Sequence, residues 1–148
     1  MRIAMIGAGG IARRHLDVLR AEPEVEVVGH VARTRASAER QAAVAGGRAY
    51  DDVATLLGAE TPDAAIVTVP PDAHGDGERA LIEARVPYLV EKPLSSDRAT
   101  GERLAEEARA AGLPVAVGYH WRALDTLPEL RSRLGEAPVR MVLGAWHD

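Results

Sequence analysis

The residue types best suited to chemistry stand near the start of the chain. Gly7-Ala8-Gly9-Gly10-Ile11-Ala12 fits the spacing G-x-G-x-x-A, directly after the apolar run Ile3-Ala4-Met5-Ile6. Each position has a physical task. The first glycine permits a tight turn, the second lets the backbone approach a pyrophosphate, and the small third residue lets a following helix pack closely on the strand. The start of that helix then offers free N–H groups and the positive end of its dipole to the phosphates. A glycine-rich turn without a ligand could use the same letters. The order strand, loop, helix favours phosphate binding by Gly7, Gly9, Gly10, Ile11 and Ala12.

A second cluster bears on which dinucleotide fits. Sites for NAD place Asp or Glu at the end of the second strand, where it accepts hydrogen bonds from the ribose hydroxyls. Here that position falls at about Ala32, and Arg33-Thr34-Arg35 follow. No carboxylate stands there, and two guanidiniums occupy the place of a 2′-phosphate partner. NADP is therefore the expected cofactor. Solvated surface arginines are the alternative reading, and NAD stays open if Arg33 and Arg35 point away from the nucleotide.

Positioning these residues requires a particular succession of elements. The first strand leads into a helix expected over 11–21, with Ile11, Leu16 and Leu19 facing inward. Val25-Glu26-Val27-Val28 opens a second strand, and a helix over 36–45 stops at Gly46, a residue suited to a C-terminal cap. Asp52 can cap a short helix over 53–57. Ala64-Ala65-Ile66-Val67-Thr68-Val69 is an apolar run of strand length, halted by Pro70-Pro71. A helix over 74–84, a strand over 88–90, a helix over 97–111 stopped by Gly112, and a strand over 115–117 complete the alternation. Strands apolar along their whole length, alternating with helices, predict a mainly parallel sheet covered on both faces. That is a doubly wound α/β arrangement, the Rossmann fold.

The last part of the chain reads differently. Thr126-Leu127-Pro128-Glu129 has capping-box spacing, with proline in the first helical turn. The helix should run to Leu134, break at Gly135-Glu136-Ala137-Pro138, and give way to a strand over 139–146. That strand is apolar on both faces and needs partners on both. The expectation is a dinucleotide-binding domain over 1–122, then a linker helix and the first strand of a second domain over 123–148. An isolated strand of this kind should swap, pair with another chain, or be poorly ordered.

Glu91-Lys92-Pro93, just after Tyr88-Leu89-Val90, resembles the Glu-Lys-Pro signature of the glucose–fructose oxidoreductase/inositol dehydrogenase/MocA family. Three further segments agree in order and spacing: the glycine loop with His15 one turn on, Val69-Pro70-Pro71-Asp72-Ala73-His74, and Val117-Gly118-Tyr119-His120-Trp121-Arg122. The resemblance covers essentially the whole chain. It implies an NAD(P)-dependent oxidoreductase whose Rossmann domain precedes a larger α/β domain that packs against partner subunits, so a homo-oligomer is expected. Implied substrates are sugars, polyols or related carbonyl compounds. The lysine matching Lys92 lies beside the nicotinamide, polarises the reacting oxygen and takes part in proton transfer. The glutamate matching Glu91 helps hold the nicotinamide ribose, and the proline matching Pro93 commonly follows a cis peptide. Val69, Pro70, Pro71, His74 and His120 fall on positions that line the cofactor cleft. The histidine normally paired with the lysine comes from the second domain, and His147 does not match it.

An independent reading of Lys92 is compatible. Ligands of open α/β sheets bind outside the carboxyl ends of the strands, where Lys92 falls. A partly desolvated lysine near a cationic nicotinamide loses its proton more easily, which suits acid–base work. A lysine simply paired with Glu91 is the alternative. Some residues depart from the family pattern. Ala12 replaces the third glycine, His120 stands where Asn or Gln is common, and Ala123 stands where an aromatic is frequent. His120 could contact nicotinamide or substrate, or cap a loop. His74 reads as a positioning or packing residue, His15 and His30 as structural, and Trp121 and Trp146 as interdomain packing.

Composition excludes other classes. The chain has no cysteine, hence no disulfide scaffold, thiolate metal site or cysteine nucleophile. A net charge of −4 gives no long-range attraction for nucleic acid or an anionic membrane. No His, Asp and Glu cluster has metal-ligand spacing, and no G-x-S-x-G turn occurs. The apolar run after Met1-Arg2 is too short for a signal-peptide core, so a cytoplasmic protein is expected. A redox-silent nucleotide-binding module acting through a partner is the rival from outside the enzymes.

Overall fold

The computed structural model describes residues 1–135, in two compact units, the first Met1–Gly118 and the second beginning at Tyr119. The strand expected over 139–146, with Trp146 and His147, lies outside the described residues. In the first unit the elements run β1 (Arg2–Ile6), α1 (Gly10–Leu19), β2 (Glu26–Val31), α2 (Arg35–Ala45), β3 (Arg48–Tyr50), α3 (Val53–Ala59), β4 (Ala64–Val67), α4 (Asp76–Glu83), β5 (Tyr88–Val90), α5 (Arg98–Ala110) and β6 (Val115–Val117). The second unit contains α6 (Thr126–Leu134).

The six strands form one parallel sheet in the order β3-β2-β1-β4-β5-β6. Alternation along β1 sorts the core into two layers. Ile3 and Met5 join Ala12, Leu16, Val27 and Ile66 beneath α1, with Ala45 of α2 packed at the edge. Ala4 and Ile6 join Val53, Leu56, Leu81, Leu104 and Ala108 under α3, α4 and α5. Helices on both faces are why β1 and β4 are apolar at every buried position. Each fully buried Leu or Met contributes about 1.5–3 kcal/mol.

Several local expectations are corrected. The inward line of α1 runs through Ala12, Leu16 and Leu19, and Ile11, one position ahead of Ala12, is 39% exposed instead of buried. A helical step of 100° carries it off the buried stripe. β3 was not legible: Arg48-Ala49-Tyr50 is three residues long and alternates too little to signal a strand, yet it pairs with Gly29, His30 and Val31. The helix expected to begin at His74 begins at Asp76, because Pro71–Ala73 form a separate 3-10 turn and Gly75 takes φ +135°. Among the described residues no helix is long and apolar enough to cross a membrane.

Candidate functional site

The strand order reverses between β1 and β4, and the loops leaving the carboxyl ends of β1, β2, β4 and β5 carry the chemically interesting residues. A crevice at such a switch point is where ligands of open α/β sheets bind. The sequence of contacts explains the shape of its floor. Gly7 donates its N–H to the Val31 carbonyl at 2.8 Å and takes φ +107°. A Cβ there would lie 2.4 Å from the Thr68 hydroxyl oxygen and 2.7 Å from the Thr68 carbonyl. Thr68 is itself buried and donates its hydroxyl to the Ile6 carbonyl at 3.0 Å. Gly7 is thus held between the ends of β2 and β4, with no room for a side chain.

Gly9 behaves in the opposite way. A Cβ at Gly9 would meet nothing within 4 Å, so the space beside it is open. Gly9 is also the N-cap of α1, and no side chain caps that helix. Among the described residues no side chain caps the first-turn amides at Gly10, Ile11 and Ala12. Ala12 is fully buried, which brings α1 close to the sheet. These residues fit the diphosphate of a dinucleotide.

At the end of β2, Ala32 is half-buried and Arg33 and Thr34 are exposed. Thr34 is the N-cap of α2, its hydroxyl accepting from the Ser37 N–H at 3.3 Å and donating to the Ser37 hydroxyl at 2.9 Å. Arg40 donates to the same Ser37 hydroxyl at 2.8 Å. Arg35 is engaged elsewhere, with Glu39 and Asp51 each at 3.1 Å. Those two carboxylates hold its pKa above the ordinary arginine value, against the opposing effect of desolvation. Sequence reading missed Ser37 and Arg40, although three-residue steps from Thr34 place all three on one side of the helix. Between α1 and α2 lies a cavity of about 370 Å³ lined by Ala8, Arg13, Arg20, Ser37, Arg40 and Gln41 among others.

After β4, Val69 is half-buried while Pro70 and Pro71 are exposed. The His74 side chain, 1% exposed, meets the equally buried Glu78 carboxylate, Nδ1 to Oε1, at 2.5 Å. The other Glu78 oxygen accepts from the Gly75 N–H at 2.8 Å. His74 is accordingly a packed, hydrogen-bonded residue. Glu78 was the missed partner, and its i, i+4 spacing from His74 was the available signal. Burial, then Glu78 and Glu107 nearby, push the Tyr88 hydroxyl up to about 12.

After β5, Glu91 and Lys92 turn at the end of the strand, and the Lys92–Pro93 peptide is cis. Lys92 is exposed, and among the described residues its ammonium enters no ion pair. The pairing with Glu91 raised as an alternative is absent. The Glu91 carboxylate instead meets His15 Nε2 at 2.9 Å and accepts from the Lys92 N–H at 3.2 Å. His30 lies apart from these groups, fully buried, its Nε2 donating to the Gly46 carbonyl at 2.8 Å. Burial holds its pKa below the ordinary histidine value, with the Gly46 bond acting weakly the other way. In the second unit His120 opens a 3-10 turn with Trp121, their rings 5.0 Å apart and tilted by 35°.

Comparison with known proteins gives a consistent picture. Residues 1–119 match the oxidoreductase family with an NAD-binding Rossmann fold, abbreviated Gfo/Idh/MocA. The chain is 36% identical over 137 residues to a dTDP-3,4-didehydro-2,6-dideoxy-alpha-D-glucose 3-reductase of Actinomadura kijaniata, covering 87% of this chain and 41% of that protein. It is 34% identical over 136 residues to a myo-inositol dehydrogenase of Streptomyces leeuwenhoekii, covering 90% and 41%. The crystal structure of KijD10, a 3-ketoreductase from Actinomadura kijaniata in complex with NADP, superposes with a TM-score of 0.77 at 33% identity, covering 90% of this chain and 43% of that one. The chain thus spans about two fifths of the length of such relatives.

Proposed function

This chain belongs to the Gfo/Idh/MocA oxidoreductase family, and from that premise we propose that it is the cofactor-binding half of an enzyme moving hydride between NADP(H) and a carbonyl or hydroxyl carbon of a sugar- or polyol-like substrate. The observation that carries the proposal is the placement of Lys92. It follows β5 on the same sheet edge as the uncapped start of α1, with its ammonium free of ion pairs among the described residues. The cofactor, when bound, would supply the redox chemistry, donating hydride as NADPH or accepting it as NADP+. Lys92 holds or releases a proton at Nζ toward the reacting oxygen. Gly7, Gly9, Gly10, Ile11 and Ala12 cradle the diphosphate, while Val69, Pro70 and Pro71 complete the lining. The sugar-nucleotide and inositol relatives support that substrate class.

For the 2′-phosphate, Arg33 keeps the role its position suggests, and Arg40 with Ser37 joins it. Arg35 is already paired with two carboxylates and contributes less. A hydrogen bond to a charged group is worth roughly 1.5–3 kcal/mol, or about 10- to 150-fold in affinity. A cytoplasmic location, a second domain that binds substrate, and self-association through that domain complete this reading. Replacing Lys92 with Ala in the full-length protein should lower turnover by about 100-fold or more, with NADPH affinity nearly unchanged. Full activity in that variant removes Lys92 from the mechanism. NADPH binding without any turnover in the unaltered protein would favour a redox-silent module.

A further inference from the structure

Glu91 lies immediately before the proposed proton-handling lysine, yet its carboxylate faces inward. The side chain is 12% exposed and both oxygens are engaged. One meets Nε2 of His15, which comes from the second turn of α1, and the other accepts the backbone N–H of Lys92. A third element closes over the pair. A Cβ at Gly118 would stand 3.0 Å from Glu91 Oε1, 3.1 Å from its carboxyl carbon and 3.2 Å from Oε2. The Gly118 N–H also donates to the Val90 carbonyl at 2.8 Å, which fixes the end of β6 against the end of β5.

We propose that His15 is a positioning residue for Lys92, acting through Glu91 as a brace between the phosphate-binding helix and the turn after β5. The brace assigns His15 a task beyond filling space. It holds the carboxylate in one orientation, that carboxylate holds the Lys92 amide, and the lysine stem then leaves the backbone at a fixed place. Gly118 leaves the carboxylate just enough room, since a Cβ there would press it aside by a few tenths of an ångström. The role for Lys92 rests on the function proposed above; the brace itself does not.

Hydrogen exchange resolved at the Lys92 amide, on the full-length protein without nucleotide or substrate, reads the brace directly. His15→Ala should speed that exchange by about tenfold or more. Gly118→Ala should do the same through the carboxylate alone, without touching α1. His15→Gln should restore protection, because its amide nitrogen reaches as far as imidazole Nε2. His15→Asn should not, because its amide stops where Nδ1 stands. NADPH titration by fluorescence should stay within about threefold in all four variants. Unchanged Lys92 exchange in His15→Ala, or equal rescue by Asn and Gln, would overturn the brace. A large loss of NADPH affinity with unchanged exchange would overturn it too, and would assign His15 to the phosphate loop. If no variant and no parent protein binds NADPH while the exchange pattern holds, the nucleotide reading fails and the brace stands.

Discussion

At Gly7 the chemistry of the site and the geometry of the sheet make the same demand. Its φ of +107° disfavours any L side chain, and the Thr68 hydroxyl and carbonyl occupy the volume a Cβ would need. Gly7→Ala should therefore lose at least about 2 kcal/mol of stability, from backbone strain and overpacking together. Urea unfolding would read the loss, and the shifted loop should also weaken NADPH binding more than tenfold. A variant as stable as its parent would show that the strand ends can part at little cost. The arginines make a separate residue-scale prediction. Arg40→Ala should reduce NADPH affinity by about 10- to 150-fold and leave NADH affinity alone, while Arg35→Ala should change neither much. Calorimetry with both nucleotides decides it, and a strong effect at Arg35 would restore the simpler assignment. The glycine loop was legible because its spacing encodes the fold and the ligand at once. Ser37, Arg40 and Thr68 were not, because each acquires its place from a neighbour, Thr34 in the first two cases and Gly7 in the third.

Elements show the same division between local and borrowed information. α1, α2 and α5 could be read from periodicity and stops, and Asp52 caps α3 as its position suggested. β4 and β5 could be read as apolar runs. β3 could not, since its three residues are specified mainly by pairing with β2. The start of α4 was misplaced because the two prolines and Gly75 build a turn whose stability comes from Glu78, three residues further on. That carboxylate closes the loop by bonding the Gly75 N–H and the His74 ring in a site with 1% exposure. Removing it leaves two buried donors without partners. Glu78→Ala should cost about 3–5 kcal/mol. Glu78→Gln retains one acceptor but turns an N–H toward the other donor, for a loss of about 1–3 kcal/mol. Thermal unfolding of the two variants should preserve that ranking. Equal losses would mean that packing volume, not hydrogen bonding, holds the loop.

Across the whole unit, stability should carry a pH dependence that originates far from the cofactor crevice. His30 lies on β2 under α2, fully buried, with Nε2 bonded to Gly46 and Nδ1 without a partner among the described residues. Desolvation disfavours its charged form, so its folded pKa lies below the ordinary value of 6.5. The sign follows from proton counting. Between the lowered folded pKa and about 6.5, the unfolded chain binds a proton that the folded chain refuses, so stability rises with pH in that window. The contribution is complete above about 6.5 and is lost as pH falls through the folded pKa. Denaturant midpoints should accordingly be flat from pH 8 to 7 and fall as the pH drops from 6.5 toward 5. His30→Gln can still donate to the Gly46 carbonyl but has no proton to gain. Its midpoint should vary less than that of the parent over the same interval. The comparison isolates His30, because acid effects on the carboxylates are common to both proteins. Parallel curves would show that His30 keeps its ordinary pKa on folding, and that the space under α2 is wetter than its burial implies.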